Sequence, residues 1–373
     1  MTIKIVDVRA FVFRAPNKTP VQTSFGFMYD RPAVFVCVTD SSGRTGWGEV
    51  WCNFPSVGAE HRAKLVNTVF APILKSNIFL NPKNAFKLLT KSTEVLAIQA
   101  AEQGPIAQCI AGLDIAIWDL YARNLNQPLW KLLGGLSPDV HVYASGLNPT
   151  SPEILAEEAY RHGYRAFKLK VGFGKDRDLA NLRSLKSTLK GCRLMVDANQ
   201  GWDLSTAIDM SQSMSDFNLD WLEEPLRADR PWSQWRRLEM ESPIKLSAGE
   251  NLAGLRSFDR ALKARALAVI QPDIAKWGGI TGGLAIIGLV KKFTVRYCPH
   301  YLGGGIGLLA SAHLLSGSGL PGMLEVDSNP NPLRTLACGP LASIHEGIGK
   351  LTEQPGLGLE PDFSVLNEFL VTY

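Results

Sequence analysis

The chain has few cysteines, and none of them are paired at a redox or metal-binding spacing. Its six cysteines stand singly at positions 37, 52, 109, 192, 298 and 338, without a CxxC motif. This pattern excludes the disulfide framework of small secreted proteins. We expect free, mostly buried thiols in a reducing compartment.

Long apolar runs and an excess of one charge are also absent. No uncharged apolar stretch reaches the ~18 residues of a membrane span, and charge interrupts the first apolar residues, so no signal peptide is expected. The 39 basic and 35 acidic residues give a formal net charge of +4. Because basic side chains are interleaved with acidic ones, a nucleic-acid surface is not expected. We predict a soluble cytoplasmic protein without nucleic-acid or membrane partners.

What the chain does have is a ladder of polar residues, each of which closes a short apolar run. Its members are Lys170, Asp197, Glu223, Glu250, Asp273, His300 and Glu325, separated by 27, 26, 27, 23, 27 and 25 residues. That interval is one strand, one helix and two loops, which is the unit of a parallel barrel. Since the strands of a (β/α)₈ barrel end at one mouth, where active sites are built, the ladder predicts a catalytic cavity.

The length of 373 residues exceeds what one core usually organises, about 250–300 residues. Strand-like segments followed by helical periodicity predict an N-terminal α+β domain over residues 1–133. The alternating region predicts an α/β barrel over residues 134–345, and the Gly/Pro-rich residues 346–373 are expected to return to the N-terminal domain. Eight barrel strands are predicted at 140–145, 165–171, 193–198, 219–223, 244–248, 268–271, 294–298 and 323–326.

Two segments of the N-terminal domain are predicted to be loops. Residues 16–32 contain three prolines and a glycine, and residues 50–58 carry aromatic side chains. Long loops in compact domains are usually lids or binding loops. A helix predicted over residues 105–125 has little charge on its polar side, so it is expected to lie between two layers.

Asp197, Glu223 and Glu250 close three successive predicted strands. Clustered carboxylates are costly unless a cation holds them, and an all-oxygen ligand set suits Mg²⁺. Glu224 competes with Glu223 for this role. However, adjacent strand residues face opposite sides, and the interval favours Glu223.

Lys168 and Lys170 lie on one face of a predicted strand. Two ammonium groups beside a metal would depress each other's pKa, so that one of them could accept a proton near neutral pH. Asp273 and His300 end neighbouring predicted strands, where a carboxylate–imidazole hydrogen bond would fix the tautomer of the histidine.

Two further polar residues are candidates for roles at the barrel mouth. Asn199 shares the face of Asp197 and could bind a ligand or a metal-bound water. Glu325 could be a protonated donor to an oxyanion or a hydrogen-bonded loop anchor, and the sequence leaves both roles open.

Six motifs in this order make the chain resemble the enolase superfamily, and more closely its mandelate racemase subgroup. They are Lys-x-Lys (168–170), Asp-x-Asn (197–199), Glu-Glu-Pro (223–225), Gly-Glu-Asn (249–251), Pro-Asp-x-x-Lys-x-Gly-Gly (272–279) and Pro-His (299–300). The muconate-lactonizing subgroup differs, because it has a lysine at the position of Asp273 and usually an aspartate at that of Glu250.

The resemblance implies a modified (β/α)₈ barrel, capped by the N-terminal domain, that abstracts the proton alpha to a carboxylate. It also implies a magnesium ion bound by Asp197, Glu223 and Glu250 and chelated by the substrate carboxylate. Members of this superfamily use a lysine or histidine base together with Mg²⁺. Relatives are usually symmetric assemblies, so a homo-oligomer is expected.

For proton transfer, the resemblance implies Lys170 as one general base, with Lys168 hydrogen-bonded to the substrate carboxylate. His300, oriented by Asp273, would be the acid/base on the opposite face, and Glu325 matches the family's eighth-strand acid. The N-terminal loops would select the substrate, with lid candidates Thr23, Tyr29, Arg31, Trp51 and Phe54.

The reaction that follows proton abstraction stays open. Dehydration of an acid sugar, with His300 expelling a β-hydroxyl, is favoured over racemisation or epimerisation by Lys170 and His300 as two bases. Outside the family, Gly305-Ile-Gly307-Leu-Leu-Ala310 fits the dinucleotide fingerprint of an NAD-dependent oxidoreductase. A barrel that binds a metal without catalysis is the third hypothesis.

Overall fold

Two sheets organise the protein, whose computed structural model describes residues 2–23 and 26–372, with the backbone alone at positions 18, 19 and 21–23. The N-terminal sheet is antiparallel. The larger sheet has eight main strands, which run parallel. The chain therefore has an α/β fold with an N-terminal capping domain.

The capping domain consists of the antiparallel sheet and the helices packed on it. Its elements are β1 (Ile3–Thr23), β2 (Gly26–Asp40), β3 (Thr45–Val50), α1 (Gly58–Leu65), α2 (Ala71–Lys75), β4 (Ile78–Phe79), α3 (Pro82–Gln99), α4 (Gln103–Asn124) and α5 (Leu129–Leu132).

The barrel alternates strands and helices. Its elements are β5 (Asp139–Leu147), α6 (Pro152–Arg161), β6 (Ala166–Lys170), α7 (Lys175–Thr188), β7 (Arg193–Asp197), α8 (Leu204–Ser213), β8 (Leu222–Glu223), α9 (Trp232–Glu241), β9 (Leu246–Ala248), α10 (Leu255–Ala264), β10 (Val269–Ile270), α11 (Gly279–Val290), β11 (Arg296–Tyr297), α12 (Gly305–Ser318) and β12 (Leu324–Asp327). All eight strands overlap the predicted segments.

The barrel closes between its seventh and eighth strands. In the sheet order β11-β10-β9-β8-β7-β6-β5-β12, the two end strands are joined by backbone hydrogen bonds from Tyr297 to Pro321 and from Glu325 to Pro299. The interior-facing and helix-facing residues are both buried, as expected for parallel strands covered on two sides.

The C-terminal segment returns to the capping domain. After the barrel come α13 (Pro332–Thr335), β13 (Ile348–Lys350), α14 (Phe363–Leu366) and β14 (Leu370–Val371). The last of these pairs with β1, with Val371 opposite Val12. The aromatic ring of Phe363 packs on Phe11 with ring centroids 4.9 Å apart.

The prediction of a loop over residues 16–32 is wrong, because residues 16–23 and 26–32 belong to the paired strands β1 and β2. Beyond a register shift between Pro16 and Val21, the strands β1 and β2 continue to pair, with Val21 opposite Met28. Prolines disfavour the interior of a sheet, but they are tolerated in strands whose outer edge needs no donor and at irregularities of the ladder.

Helix α4 lies between the sheet of the capping domain and the barrel, as its low charge predicts. It is buried along most of its length. Glycines permit its close approach to β3: a Cβ at Gly48 would lie 2.1 Å from the carbonyl oxygen of Gly112. Side chains larger than hydrogen at these positions would push the helix off the sheet.

A buried ion pair joins the capping domain to the barrel. Arg31 of β2 and Asp327 at the end of β12 are 2% and 4% exposed at their side chains and are hydrogen-bonded to each other. Arg334 Nη1 is 3.8 Å from the same carboxylate. Removal of one partner from a buried pair leaves the other charge uncompensated.

We therefore predict that Arg31→Met lowers the free energy of unfolding by about 3 kcal/mol, measured by urea denaturation. The matched control is Arg165→Met, which breaks a solvent-exposed pair with Glu346 and should cost at most about 1 kcal/mol. Equal costs for the two variants would contradict the interpretation.

His313 of α12 is a buried structural histidine. Its Nδ1 accepts the backbone N–H of Trp130 at 3.0 Å, and its Nε2 lies 3.2 Å from the carbonyl oxygen of Leu357. Burial lowers the pKa of His313 from 6.5 to about 3. As the pH falls below 6.5, the unfolded chain therefore binds a proton that the folded protein does not bind until about pH 3.

Stability is consequently expected to fall with pH in this window, by up to about 1.4 kcal/mol per pH unit from this group alone. His313→Asn, whose amide oxygen can still accept from Trp130, should make the decline shallower by about that slope between pH 6 and 4. Urea unfolding followed by circular dichroism at each pH measures the difference. Parallel pH profiles for the two proteins would show that His313 binds its proton in the folded protein at the same pH as in the unfolded chain.

Candidate active site

A cavity of about 880 Å³, counting the part open to solvent, lies at the carboxyl ends of the barrel strands. The ladder residues Lys170, Glu250, His300 and Glu325 line it. Parallel strands place their ends at one mouth, so residues far apart in sequence meet here.

The two lysines of β6 are paired with carboxylates. Lys168 is fully buried, and its Nζ lies 2.7 Å from both carboxylate oxygens of Glu223 and 2.9 Å from Glu325. Lys170 Nζ lies 2.6 Å from Asp197. Both ammonium groups thus point to the same side of the strand, as alternation predicts.

The expectation that the two ammonium groups beside a metal would depress each other's pKa stays a prediction. Burial lowers the pKa of Lys170 most and Lys168 lowers it further, but the carboxylates of Asp197, Glu250 and Glu325 together raise it more, so that the net shift is upward. The pKa of Lys168 is raised well above its usual value, since Glu223 and Glu325 outweigh burial. The attraction of the carboxylates exceeds the repulsion between the two lysines.

His300 is held between two carboxylates. Its Nδ1 is 2.8 Å from Asp273, and its Nε2 is 2.8 Å from Glu250. Asp273 in turn accepts the backbone N–H groups of Ala275 and Lys276. Burial lowers the pKa of His300, but Glu250 and Glu325 raise it well above its usual value. An imidazolium in this position can donate a proton from Nε2.

The side chains of Glu223 and Glu224 do not lie on opposite sides of the sheet. The prediction of their directions from strand alternation is therefore wrong. Glu224 follows the end of β8 with a φ of +38°, which turns its side chain into the cavity lining beside Glu250. Glu223 lies deeper, where Trp221 and Gln271 also donate to it. Both carboxylates are therefore at the barrel mouth.

The charges at this site suit a hard cation, although the side chains of the structure do not form a finished ligand set. Within residues 2–23 and 26–372, no three His, Cys, Asp or Glu side chains stand close enough to hold an ion. The nearby donors are all oxygens, as Mg²⁺ prefers. Burial raises the pKa of Glu223 to about 7, and burial together with Glu250 and Asp197 raises that of Glu224 well above its usual value. Additional positive charge would be stabilised here.

The contacts of Glu325 are those of a hydrogen-bonded anchor between barrel strands. It accepts from the hydroxyl groups of Ser145 and Tyr143, the latter at 3.1 Å. Burial raises its pKa, but Lys168 and His300 lower it more. Its contacts join β12 to β5 and β6 beneath the cavity.

Asn199 lines the cavity and is oriented by Asp197, which accepts its backbone N–H at 2.8 Å and its amide N–H at 3.1 Å. Sequence reasoning missed several other polar residues of the lining. They are Asn148, Gln200, Asn251, Lys276, Asp327 and Asn329. Most of them follow a strand end within a few residues, and that position was the available signal.

The lid candidates divide into three groups. Trp51 and Phe54 line the cavity, whereas Tyr29 is 72% exposed and Arg31 is buried against Asp327. The side chain of Thr23 lies outside the described residues. The loop after β3 therefore covers the site, and the described side chains of residues 16–32 are not among those that line it.

The glycine cluster at the start of α12 does not offer a dinucleotide site. Glu49 of β3 accepts the backbone N–H groups of Gly304 and Gly307, the positions where a phosphate would bind a helix N-terminus. A Cβ at Gly307 would lie 2.3 Å from the hydroxyl of Tyr301. The glycines therefore leave room for the side chains of Glu49 and Tyr301. They give no support to the hypothesis of an NAD-dependent oxidoreductase.

Comparison with known families assigns both parts of the chain. Residues 6–134 match the N-terminal domain of mandelate racemase / muconate lactonizing enzyme, and residues 153–365 match the enolase C-terminal domain-like family. The described helices include none long and apolar enough to cross a membrane.

Curated relatives are similar over nearly the whole chain. D-galactarolactone cycloisomerase of Agrobacterium fabrum is 27% identical, covering 98% of this chain and 99% of its own. 3,6-anhydro-alpha-L-galactonate cycloisomerase of Streptomyces coelicolor is 29% identical over the same shares. Arabinonate dehydratase of Saccharolobus solfataricus is 26% identical and covers 89% of each.

Solved structures agree in fold. A mandelate racemase/muconate lactonizing enzyme of Bordetella bronchiseptica superposes with a TM-score of 0.93 at 52% identity, covering 99% of each chain. A racemase of Streptomyces coelicolor with bound magnesium gives 0.88 at 27% identity, covering 98% of this chain and 100% of its own. The chain therefore belongs to the enolase superfamily, within the mandelate racemase/muconate lactonizing enzyme family, whose similar members are lyases and isomerases.

Proposed function

We propose that the protein abstracts the proton alpha to the carboxylate of a sugar acid or related hydroxy acid and eliminates its β-hydroxyl, giving a 2-keto-3-deoxy acid. The observation that carries this proposal is the placement of Lys170 and His300 in one cavity, each beside a carboxylate that could hold a metal. A substrate between them would have a proton acceptor and a proton donor at hand.

We propose Asp197, Glu223 and Glu250 as ligands of a magnesium ion. The family members with bound magnesium and the oxygen-only donors of the site support this choice. When bound, the ion supplies positive charge that stabilises the negative charge developing on the substrate carboxylate.

The chain's own groups would carry the proton transfers. The C–H bond alpha to the carboxylate breaks, its proton passes to Lys170 Nζ in the neutral amine form, and its electron pair moves into the carboxylate to give an enolate. That electron pair then forms the double bond between the alpha and β carbons as the β carbon–oxygen bond breaks, and the leaving hydroxyl takes the proton of His300 Nε2 and departs as water. The resulting enol tautomerises to the 2-keto acid, so that atoms and charge balance.

The cavity lining supports a hydroxylated substrate. Amide side chains present both donors and acceptors, which suit hydroxyl groups. Five of them line the cavity: Asn148, Asn199, Gln200, Asn251 and Asn329. A ring oxygen could leave by the same step, which is consistent with the sugar-acid cycloisomerases among the relatives.

Racemisation or epimerisation is the second candidate. It is favoured by the presence of both Lys170 and His300 in the cavity lining, since removal of a proton at one face and its return at the other need two proton-transferring groups. The two candidates predict different products and can be separated directly.

The proton-transfer roles predict specific losses of activity. We expect wild-type enzyme with Mg²⁺ to convert at least one member of a panel of aldonates and aldarates into a 2-keto-3-deoxy acid, observed by proton NMR in D₂O. Lys170→Met and His300→Asn should each lower turnover by at least about 100-fold while leaving the fold intact. The control Lys175→Met, in an exposed pair with Asp209, should retain activity. If deuterium is exchanged without elimination, epimerisation replaces dehydration as the proposed reaction. Near-normal turnover of either variant would refute the proton-transfer role of the residue that it replaces.

The ligand assignment predicts unequal effects of two neighbouring carboxylates. Titration of chelator-treated protein with Mg²⁺ alone should show one site. Glu223→Gln should weaken binding by more than about 100-fold, whereas the adjacent Glu224→Gln should weaken it by about 10-fold or less, as for a supporting contact. The reverse order would make Glu224 the ligand, and no binding by wild type would refute the metal site.

A further inference from the structure

Glu49 belongs to the capping domain but is bound entirely by the barrel. It is 2% exposed, and its two carboxylate oxygens accept the backbone N–H groups of Gly304 and, at 2.8 Å, of Gly307. The hydroxyl of Tyr301 is also hydrogen-bonded to it. These three partners lie on the loop after β11 and the first turn of α12, the same loop that carries His300.

A second side chain of the same segment holds this loop. Asn53, four residues after Glu49 and 6% exposed, donates its amide N–H to the carbonyl oxygen of Leu302 at 2.7 Å. The segment 49–54 is therefore hydrogen-bonded to residues 301–307 through the side chains of Glu49 and Asn53. From the barrel side, Asn331 donates to Gly303 at 2.8 Å.

The loop needs external attachment because of its composition. Three consecutive glycines, 303–305, give it more backbone freedom than other residues would. The ring of His300 is oriented by Asp273 and Glu250, but those contacts do not fix where the backbone of the loop lies. A shift of about 1 Å in a group that transfers a proton can cost about 100-fold in rate.

The chemistry of the contact requires a carboxylate. Two backbone N–H groups point at two separate oxygens, and both oxygens of a carboxylate can accept. A glutamine of the same shape offers one acceptor and turns an NH₂ group against the second N–H. The partial positive charge at the start of a helix further favours the anion.

We propose that Glu49 is a positioning residue for His300, through which the capping domain holds the proton donor over the β-oxygen of the substrate. This inference rests on the proposed function, because it assigns His300 the protonation of the leaving group. It makes the capping domain part of the catalytic apparatus and not only a cover over the cavity.

The test compares two leaving groups. The probes are the acid that wild-type enzyme dehydrates in the panel and its 3-deoxy-3-fluoro analogue, since fluoride can depart without a proton. Glu49→Gln should lower kcat on the hydroxy acid by about 10- to 100-fold and change kcat on the fluoro acid by less than about 3-fold, with KM altered little in both cases. His300→Asn should show the same rescue by fluoride, and Lys170→Met should not, because the alpha proton must still be removed.

The matched control is Glu360→Gln. Glu360 binds the same strand of the capping domain, accepting from Trp47 at 2.8 Å and Thr45 at 3.3 Å, but it does not touch the loop of His300. In Glu360→Gln, the ratio of kcat on the fluoro acid to kcat on the hydroxy acid should equal that of wild type. If Glu49→Gln does not fold, Asn53→Ala, which releases Leu302, provides the same comparison.

The outcomes separate this inference from the proposed function. If wild-type enzyme eliminates neither leaving group, the proposed function is wrong and the role of Glu49 falls with it. If wild type is active but Glu49→Gln loses both substrates equally, or neither, the positioning role is wrong and the function stands. A changed ratio in Glu360→Gln would mean that any loosening of the capping domain acts on His300.

Discussion

The structure depends on the pairing of buried carboxylates with buried cations at the mouth of the barrel. Asp197, Glu223, Glu250 and Glu325 converge there and would repel one another if left alone. Lys168, Lys170 and His300 offset this repulsion through contacts of 2.6–2.9 Å. Charges this deeply buried persist only when they are paired. The same groups that stabilise the site are therefore those that can bind a cation and move a proton.

This pairing also explains why the catalytic groups are inseparable from the barrel's integrity. Lys168 contacts carboxylates from β8 and β12 at once, and Glu325 is hydrogen-bonded to Ser145 and Tyr143 of β5. Strands on opposite sides of the barrel are thereby connected through its centre. A divalent cation at the mouth would add positive charge next to Glu223 and Glu224, whose pKa is raised by burial and by the neighbouring carboxylates.

The capping domain contributes to the site through three different physical contacts. Arg31 forms a buried ion pair with Asp327. Glu49 accepts a hydrogen bond from a backbone N–H group in the first turn of α12, and Trp51 lines the cavity. None of these residues belongs to the periodic ladder. The cavity lining consequently includes residues from both parts of the chain, although the charged centre lies in the barrel alone.

Sequence reasoning succeeded where a repeating physical constraint acts on the chain. Parallel barrel strands must recur at the length of one strand–helix unit and end at one mouth, so the interval of the ladder was sufficient to predict seven of the eight strands and the convergence of Lys170, Asp197, Glu250 and His300. It failed where a single contact decides the local structure. Residues 16–23 of β1 pair with residues 26–32 of β2 despite the prolines of this segment. At Glu224, a positive φ breaks the strand alternation.

The sequence by itself thus determined the class of fold, the family and the chemical types gathered at the mouth, because periodicity and motif order are properties of the chain alone. Only the tertiary structure decided the carboxylate partners of the lysines, the burial of Arg31 and the attachment of the His300 loop to Glu49. Those properties arise from distances between residues tens to hundreds of positions apart, such as the 27 positions between Lys170 and Asp197 or the 255 between Glu49 and Gly304, and no local pattern encodes them.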